Sequence, residues 1–124
     1  MPGGRGRGKR RRGVLGFLRP ALLFLLLRGD NHGYSLLDEL EEFGFDSSQV
    51  DPSLIYRILR EMEADGLVSS YLGEESLGPQ RRIYQLLPAG DDYLGLLIHG
   101  LRRRREEIDH LVGAYDQIKG TEDK

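Results

Sequence analysis

The sequence contains no cysteine and no tryptophan. Without thiols the chain can form neither a disulfide framework nor a thiolate zinc site, and it has no thiol nucleophile. The longest apolar run, Ala21 to Leu27, is far shorter than the roughly 20 residues of a transmembrane helix. We therefore expect no membrane partner, and the absence of cysteine fits the reducing cytoplasm as the place of action.

The formal net charge of -2 is unevenly distributed. Six of the eighteen Lys and Arg lie in the first twelve residues, so the rest of the chain has twelve basic against twenty acidic residues. Residues 1–16 contain many glycines and arginines and almost no apolar group, and they are predicted to form a disordered basic arm. A tail without a binding role is one alternative. A signal peptide is another, although an A-x-A-like cleavage site is missing. The arm's candidate DNA contacts are Arg10, Arg11 and Arg12.

Two helices are predicted in the first half of the chain. The stretch PALLFLLLR, residues 20–28, has a proline in its first turn and strong helix formers, and Gly29 ends it. Because it is apolar on nearly all sides, other elements must cover it. The second helix is predicted from about Gly33 to Phe43, with Asn31 as its cap and Gly44 as its stop. Its apolar positions are Leu36, Leu37, Leu40 and Phe43.

A third helix is predicted from Asp51, the N-cap, through Pro52 in the first turn to Gly66 at the end. At about 100° per residue, its apolar and polar residues separate onto opposite arcs. The apolar arc contains Leu54, Ile55, Ile58, Leu59 and Met62. The outward arc contains Ser53, Tyr56, Arg57 and Arg60.

The outward arc of the third helix has the side-chain types that contact DNA. Arginine forms forked contacts with guanine or grips phosphate, so Arg57 and Arg60 are candidate DNA contacts. Pairing on the helix surface, such as Arg57 with Glu61, is the alternative. Ser53 and Tyr56 suit phosphate contacts near the helix N-terminus. For Tyr56, half-buried support is the alternative.

The runs LVSSYL and RRIYQLL, separated by GEESLGPQ, predict a β-hairpin with a long tip. Tyr84 is expected to face inward, with Tyr71 and Leu72 as its partners. Arg81 and Arg82 follow the tip and are further candidate DNA contacts. Because neighbouring strand residues point to opposite faces, Arg81 is the preferred phosphate contact of the two. A strand edge protected by charge is the alternative.

A long helix is predicted from Pro88 to about Gln117, with apolar residues close to heptad spacing. A core this small cannot cover such a stripe, so we expect a second copy of the chain to cover it. The arginine run 102–105 is interpreted as an exposed face with intersubunit ion pairs. Glu106 and His110 have a metal-compatible spacing but no third ligand nearby, so no metal is predicted. The predicted interface residues are Leu94, Leu97, Ile98, Leu101, Ile108, Leu111, Val112 and Tyr115.

The order of elements predicts a mainly α fold with a small β-hairpin: a winged helix-turn-helix over residues 17–87 and a C-terminal dimerisation helix over residues 88–119. Three blocks, HGYSLLDELEEFGF, DPSLIYRILREMEADGLV and LGPQRRIYQLLPAG, resemble the signature blocks of PadR-like transcriptional regulators. The resemblance extends from about Leu22 to Leu96. There are departures: Leu87 stands where the family commonly has a capping threonine, and Arg57 replaces a frequent proline.

The resemblance implies a homodimeric winged-helix repressor with its recognition helices in successive major grooves of DNA. It also implies wings at the phosphates or the minor groove, and C-terminal helices that pair across the two-fold axis. The single C-terminal helix is similar to the smaller subgroup of the family. Family members often release DNA when a small molecule binds near the dimer interface, which implies an effector of unknown identity.

No nucleophile, base and orienting group cluster in the sequence, and no glycine-rich phosphate loop follows a strand. We therefore predict neither an enzyme nor a cofactor site. Two alternatives to a sequence-specific regulator stay open. One is a winged-helix protein-interaction module with a nonspecific nucleic-acid-binding arm. The other is a small RNA-associated protein, indicated only by the Arg-Gly arm.

Overall fold

A computed structural model of the chain describes residues 17–73 and 82–123, and the predicted arm lies outside these ranges. The elements are helix α1 (Leu18–Arg28), strand β1 (Asn31–His32), helix α2 (Gly33–Glu39), a 3-10 turn (Leu40–Phe43), helix α3 (Pro52–Ala64), strands β2 (Val68–Leu72) and β3 (Arg82–Leu86), and helix α4 (Pro88–Asp123). The predicted fold class is confirmed. Two compact units divide between Leu94 and Gly95.

Helix α1 is the centre of the first unit. It begins at Leu18, two residues before the predicted start, and Leu18 is fully buried. As expected for a helix that is apolar all round, it is covered on several sides, and it contacts β3, α2 and the 3-10 turn. At its end Arg28 donates two hydrogen bonds to the Glu42 carboxylate, at 3.1 and 3.0 Å. Its buried residues are Leu18, Pro20, Ala21, Leu22, Leu23, Leu25 and Leu26.

The predicted cap of the second helix is wrong. His32 is the N-cap of α2, and its ring nitrogen Nδ1 accepts a hydrogen bond from the Ser35 backbone amide at 3.5 Å. Asn31 lies in β1 instead. The α-helix also ends early and continues as the 3-10 turn up to Gly44, whose φ of 87° is left-handed. Phe43 is exposed rather than buried, and its ring packs edge-on against Phe24.

The sheet has three antiparallel strands in the order β1-β3-β2, where the sequence predicted only a hairpin. Strand β1 has two residues, which is too short for a recognisable alternation pattern. Tyr84 faces inward as predicted and is 3% exposed. Its expected partners are wrong, because Ser70 lies opposite Tyr84 while Tyr71 pairs with Ile83 and is exposed.

Helix α3 has the predicted start and end. Its N-cap Asp51 accepts a hydrogen bond from the Ser53 amide at 3.0 Å, and Pro52 is the first helical residue. Gly66 adopts a φ of 79°, and the Leu67 amide turns back to donate to the Met62 carbonyl at 2.9 Å. The fully buried residues on its inner side are Ile55, Leu59 and Met62.

The start of α4 is pressed against the beginning of β2. A Cβ atom placed on Gly90 would lie 2.1 Å from the Leu67 carbonyl oxygen, so only glycine fits there without a backbone shift. Leu94 follows one turn later and is 4% exposed. Leu94 therefore belongs to the core of its own chain, and its prediction as an interface residue is wrong. In the ranges given above, no helix combines the length and apolarity needed to cross a membrane.

Replacing Gly90 by alanine should destabilise the fold by about 1 to 3 kcal/mol, because the added methyl group collides with backbone. The control is Gly95→Ala in the same helix, where a Cβ meets no atom within 4 Å. That variant should be stabilised by up to about 1 kcal/mol through helix propensity. Urea unfolding measures both, and equal midpoints for the two variants would contradict the close packing at Gly90.

Candidate nucleic-acid interface

Three of the four residues predicted to face outward from α3, Ser53, Arg57 and Arg60, are exposed, and Glu61 is exposed beside them. Ile55, Leu59 and Met62 are buried on the opposite side of the helix, so Ser53, Arg57 and Arg60 point away from the core. The sequence predicted this orientation for all three. The fourth predicted member, Tyr56, is oriented differently.

Tyr56 is half-buried, and its hydroxyl is a buried polar atom with no hydrogen-bond partner within the described parts of the chain. Burial is the main cause that raises the pKa of this phenol, and Tyr34 and Tyr84 raise it further. The outward arc predicted for Tyr56 is therefore wrong, and its alternative as half-buried support is the orientation found. At 100° per residue, position 56 lies between the buried and the exposed arcs, so periodicity alone cannot decide it.

Ser53 is exposed, but its hydroxyl is already engaged. It donates to the Asp51 carboxylate at 2.8 Å, and the Ser53 amide donates to the same oxygen at 3.0 Å. The hydrogen bond from the Ser53 hydroxyl is the first cause that lowers the pKa of Asp51, the amide is the second, and Arg57 adds to it. A phosphate at this helix end would meet the negative charge of Asp51, which weakens the case for a phosphate contact by Ser53.

Arg57 extends into solvent from the middle of the outer face, with its side chain 64% exposed. Its Nε atom lies 3.9 Å from the Glu61 carboxylate, which Arg19 of α1 approaches more closely, at 3.2 Å. An exposed i,i+4 pair contributes only about 0.3 to 0.5 kcal/mol. The pairing alternative is therefore present but weak, and the guanidinium stays available to another acceptor.

Arg60 and Arg82 come from different elements and lie near the same phenol. Burial is the first cause that raises the pKa of Tyr84, and the carboxylate of Glu63 is the second. Arg82 and Arg60 both lower that pKa through their positive charges. The charges of Arg60 on α3 and of Arg82 at the start of β3 thus both act on one buried tyrosine. Arg82 is half-buried, whereas Arg81 and the arm residues Arg10, Arg11 and Arg12 lie outside the described residues.

Two residues of β2 make side-chain hydrogen bonds that the sequence did not indicate, Ser70 to α3 and Tyr71 to the residue before β1. The Ser70 hydroxyl donates to both oxygens of Glu63, at 3.1 and 2.9 Å, and joins β2 to the helix. The Tyr71 hydroxyl donates to Asp30 at 3.0 Å, across β3. Asp30 raises the pKa of Tyr71 by accepting this hydrogen bond. Asp30 and Tyr71 are 41 positions apart, so no local pattern indicates their pairing.

The second unit contains the apolar stripe of α4. In a single chain Leu97, Ile98 and Leu101 are half-buried. The arginine run 102–105 is exposed, and Arg104 lies 3.6 Å from Glu107. Within the described ranges no group of three or more His, Asp or Glu side chains is arranged to hold a metal ion. The exposed stripe residues are Ile108 (48%), Leu111 (73%), Val112 (49%), Tyr115 (60%) and Ile118 (64%).

Comparison with known proteins finds a matching family and similar folds. Residues 22–96 match the model of the transcriptional regulator PadR-like family. A crystal structure of a PadR-like transcriptional regulator from Bacillus cereus has a TM-score of 0.68 and 25% identity, covering 80% of this chain and 94% of the other. A transcriptional regulator from Clostridium thermocellum has a TM-score of 0.67 and 24% identity, covering 80% and 93%. An uncharacterized protein of Lysinibacillus sphaericus is 27% identical over 96 residues, which are 77% of this chain and 88% of that protein.

The Asp51 cap gives a testable pH dependence. Its pKa is lowered in the folded state, so its stabilisation is present above the ordinary value of 3.8 and is lost as the pH falls below it. Asp51→Asn keeps a capping side chain but cannot titrate. The melting temperature of this variant should fall less than that of the wild type on acidification, while Asp51→Ala should already melt lower at neutral pH. Parallel pH curves for wild type and Asp51→Asn would contradict the role of this carboxylate.

Proposed function

Because the chain belongs to the PadR-like transcriptional regulator family, we propose that it represses transcription as a homodimer on a pseudo-palindromic DNA operator. In this proposal the α3 helix of each subunit enters a major groove, and the two half-sites lie about one helical turn apart. The observation that carries the proposal is the exposure of Arg57 and Arg60 on one side of α3, with Arg82 at the first residue of the wing strand β3.

Arg57 and Arg60 have the chemistry to select a DNA sequence. A guanidinium can donate two parallel hydrogen bonds to the O6 and N7 atoms of guanine in the major groove. Both residues are exposed on one side of a helix whose other side is fixed by buried Ile55, Leu59 and Met62. Arg82 lies on the wing strand, where a contact with the phosphate backbone would fix the register of the protein on the duplex.

The apolar stripe of α4 supports the homodimer. Leu111, Tyr115 and Ile118 each leave more than half of their surface exposed in a single chain, and they follow one another at helical spacing. A second copy of α4 offers the same stripe, as a two-fold interface requires. Pairing would fix the distance between the two α3 helices and match it to successive grooves. An effector, of unknown identity, would release DNA by changing that distance.

The basic arm contributes a different kind of attraction in this proposal. Arg10, Arg11 and Arg12 would neutralise phosphates without reading bases, so their contribution should fall steeply with salt concentration. The body from Gly13 onward is acidic, with eight more Asp and Glu than Lys and Arg. Attraction to DNA therefore depends on where the twelve remaining cations lie, and in this proposal Arg57 and Arg60 place two of them on the outer face of α3.

Replacing Arg57 and Arg60 together by alanine should weaken operator binding at least about 100-fold, because each arginine contact contributes about 1 to 3 kcal/mol. Operator fragments are first selected from the genome with wild-type protein, and affinity is measured by fluorescence anisotropy. The matched control, Arg102→Ala with Arg103→Ala, removes the same charge from α4 and should bind within a few-fold of wild type. Equal losses in both variants would indicate general charge attraction, as expected of an interaction module with a nonspecific arm.

Leu111→Glu should dissociate the homodimer, because a carboxylate would be buried at the paired stripe without a partner. Leu96→Glu is the matched control, since Leu96 is 71% exposed but lies off the stripe. Sedimentation velocity should give a monomer for the first variant and a dimer for the second. A wild-type chain that sediments as a monomer at working concentrations would contradict the proposed assembly.

A further inference from the structure

Two tyrosines from different helices meet at the junction of α2 and α3. The rings of Tyr34, in the first turn of α2, and Tyr56, in α3, have centroids 6.0 Å apart and an interplanar angle of 75°. This edge-to-face arrangement is a favourable aromatic pair. The two side chains differ in access to solvent. Tyr34 is 50% exposed, whereas the Tyr56 hydroxyl is buried.

Gly33 leaves the space that the Tyr56 ring occupies. A Cβ atom on Gly33 would lie 2.4 Å from Cε1, 2.6 Å from Cζ and 2.8 Å from the hydroxyl oxygen of Tyr56. The backbone of Gly33 does not have a positive φ, so the space taken by the ring, and not the backbone conformation, requires glycine here. The first turn of α2 therefore rests directly on the Tyr56 ring.

We propose that Tyr34, and not Tyr56, presents the phenol hydroxyl that binds the DNA phosphate backbone, and that the Tyr56 ring is the positioning residue behind it. This inference rests on the proposed function. In a helix-turn-helix the first helix crosses the sugar-phosphate backbone while the second enters the major groove. Tyr34 is the exposed aromatic residue at the start of that first helix, and a tyrosine hydroxyl is a regular phosphate donor.

The Tyr56 hydroxyl is buried and has no hydrogen-bond partner within the described residues, so the structure gives it no binding role. The ring fills the space beside Gly33, chiefly with its carbon atoms Cε1 and Cζ, and packs edge-to-face with Tyr34. Phenylalanine preserves the ring and removes only the oxygen. A Tyr-to-Phe change at each position therefore tests whether the hydroxyl of Tyr34 binds phosphate while Tyr56 contributes only its ring.

Tyr34→Phe and Tyr56→Phe form a matched pair for the test. Binding of the full chain to a fluorescent mixed-sequence duplex of about 30 base pairs is measured by anisotropy across a salt series. Tyr34→Phe should weaken binding at least about fivefold, because each subunit of the dimer loses a hydrogen bond to a charged group. The dependence of affinity on salt should not change, because a neutral donor releases no counterion. Tyr56→Phe should bind within twofold of wild type.

The outcomes separate this inference from the function on which it rests. Wild-type affinity for Tyr34→Phe, or a loss for Tyr56→Phe as large as that of Tyr34→Phe, would overturn the assignment while leaving the DNA-binding function intact. A wild-type chain that binds no DNA would instead overturn the proposed function. Gly33→Ala adds a second measurement, because a displaced Tyr56 ring should weaken binding while circular dichroism shows the helices retained.

Discussion

The burial of α1 on nearly all of its sides is the constraint on which the first unit depends. Leu22 and Leu23 are completely inaccessible, and Leu18, Leu25 and Leu26 are nearly so. A helix without a polar side stabilises the fold only when several elements surround it, and α2, the 3-10 turn and β3 do so. Helix α3 packs against α2 and β2 with its apolar arc. Arg57 and Arg60 therefore point to solvent, because the opposite side of α3 makes the contacts with α2 and β2.

Polar contacts between side chains also connect the elements around α3. Glu61 accepts from Arg19 and so connects α3 to α1, while Glu63 accepts from Ser70 and connects α3 to the wing. The exposed Arg19–Glu61 ion pair contributes little to stability, whereas the Ser70–Glu63 hydrogen bond is part-buried. Together they join α3 to α1 on one side and to β2 on the other. In the proposed function, the relative placement of these elements matters because base contacts depend on geometry.

The sequence was sufficient to predict the elements with strong local signals. Asp51, Pro52 and Gly66 mark both ends of α3, and the all-apolar stretch before Gly29 identifies α1. The predictions from the sequence are wrong where contacts between distant parts of the chain determine the local structure. The two-residue strand β1 is defined by its pairing with β3, and its second residue, His32, is the cap of α2. The Tyr56 ring turns inward because Gly33 leaves space for it, and Leu94 joins the core because Gly90 allows α4 to approach β2.

The central claim is that two α3 helices read successive major grooves from a fixed separation. Hydroxyl-radical footprinting tests it directly, on genomic fragments that the wild-type chain selects. The account predicts two protected patches related by an approximate palindrome, with centres about 10 base pairs apart on one face of the duplex. A single protected patch, or uniform protection without preferred positions, would contradict it.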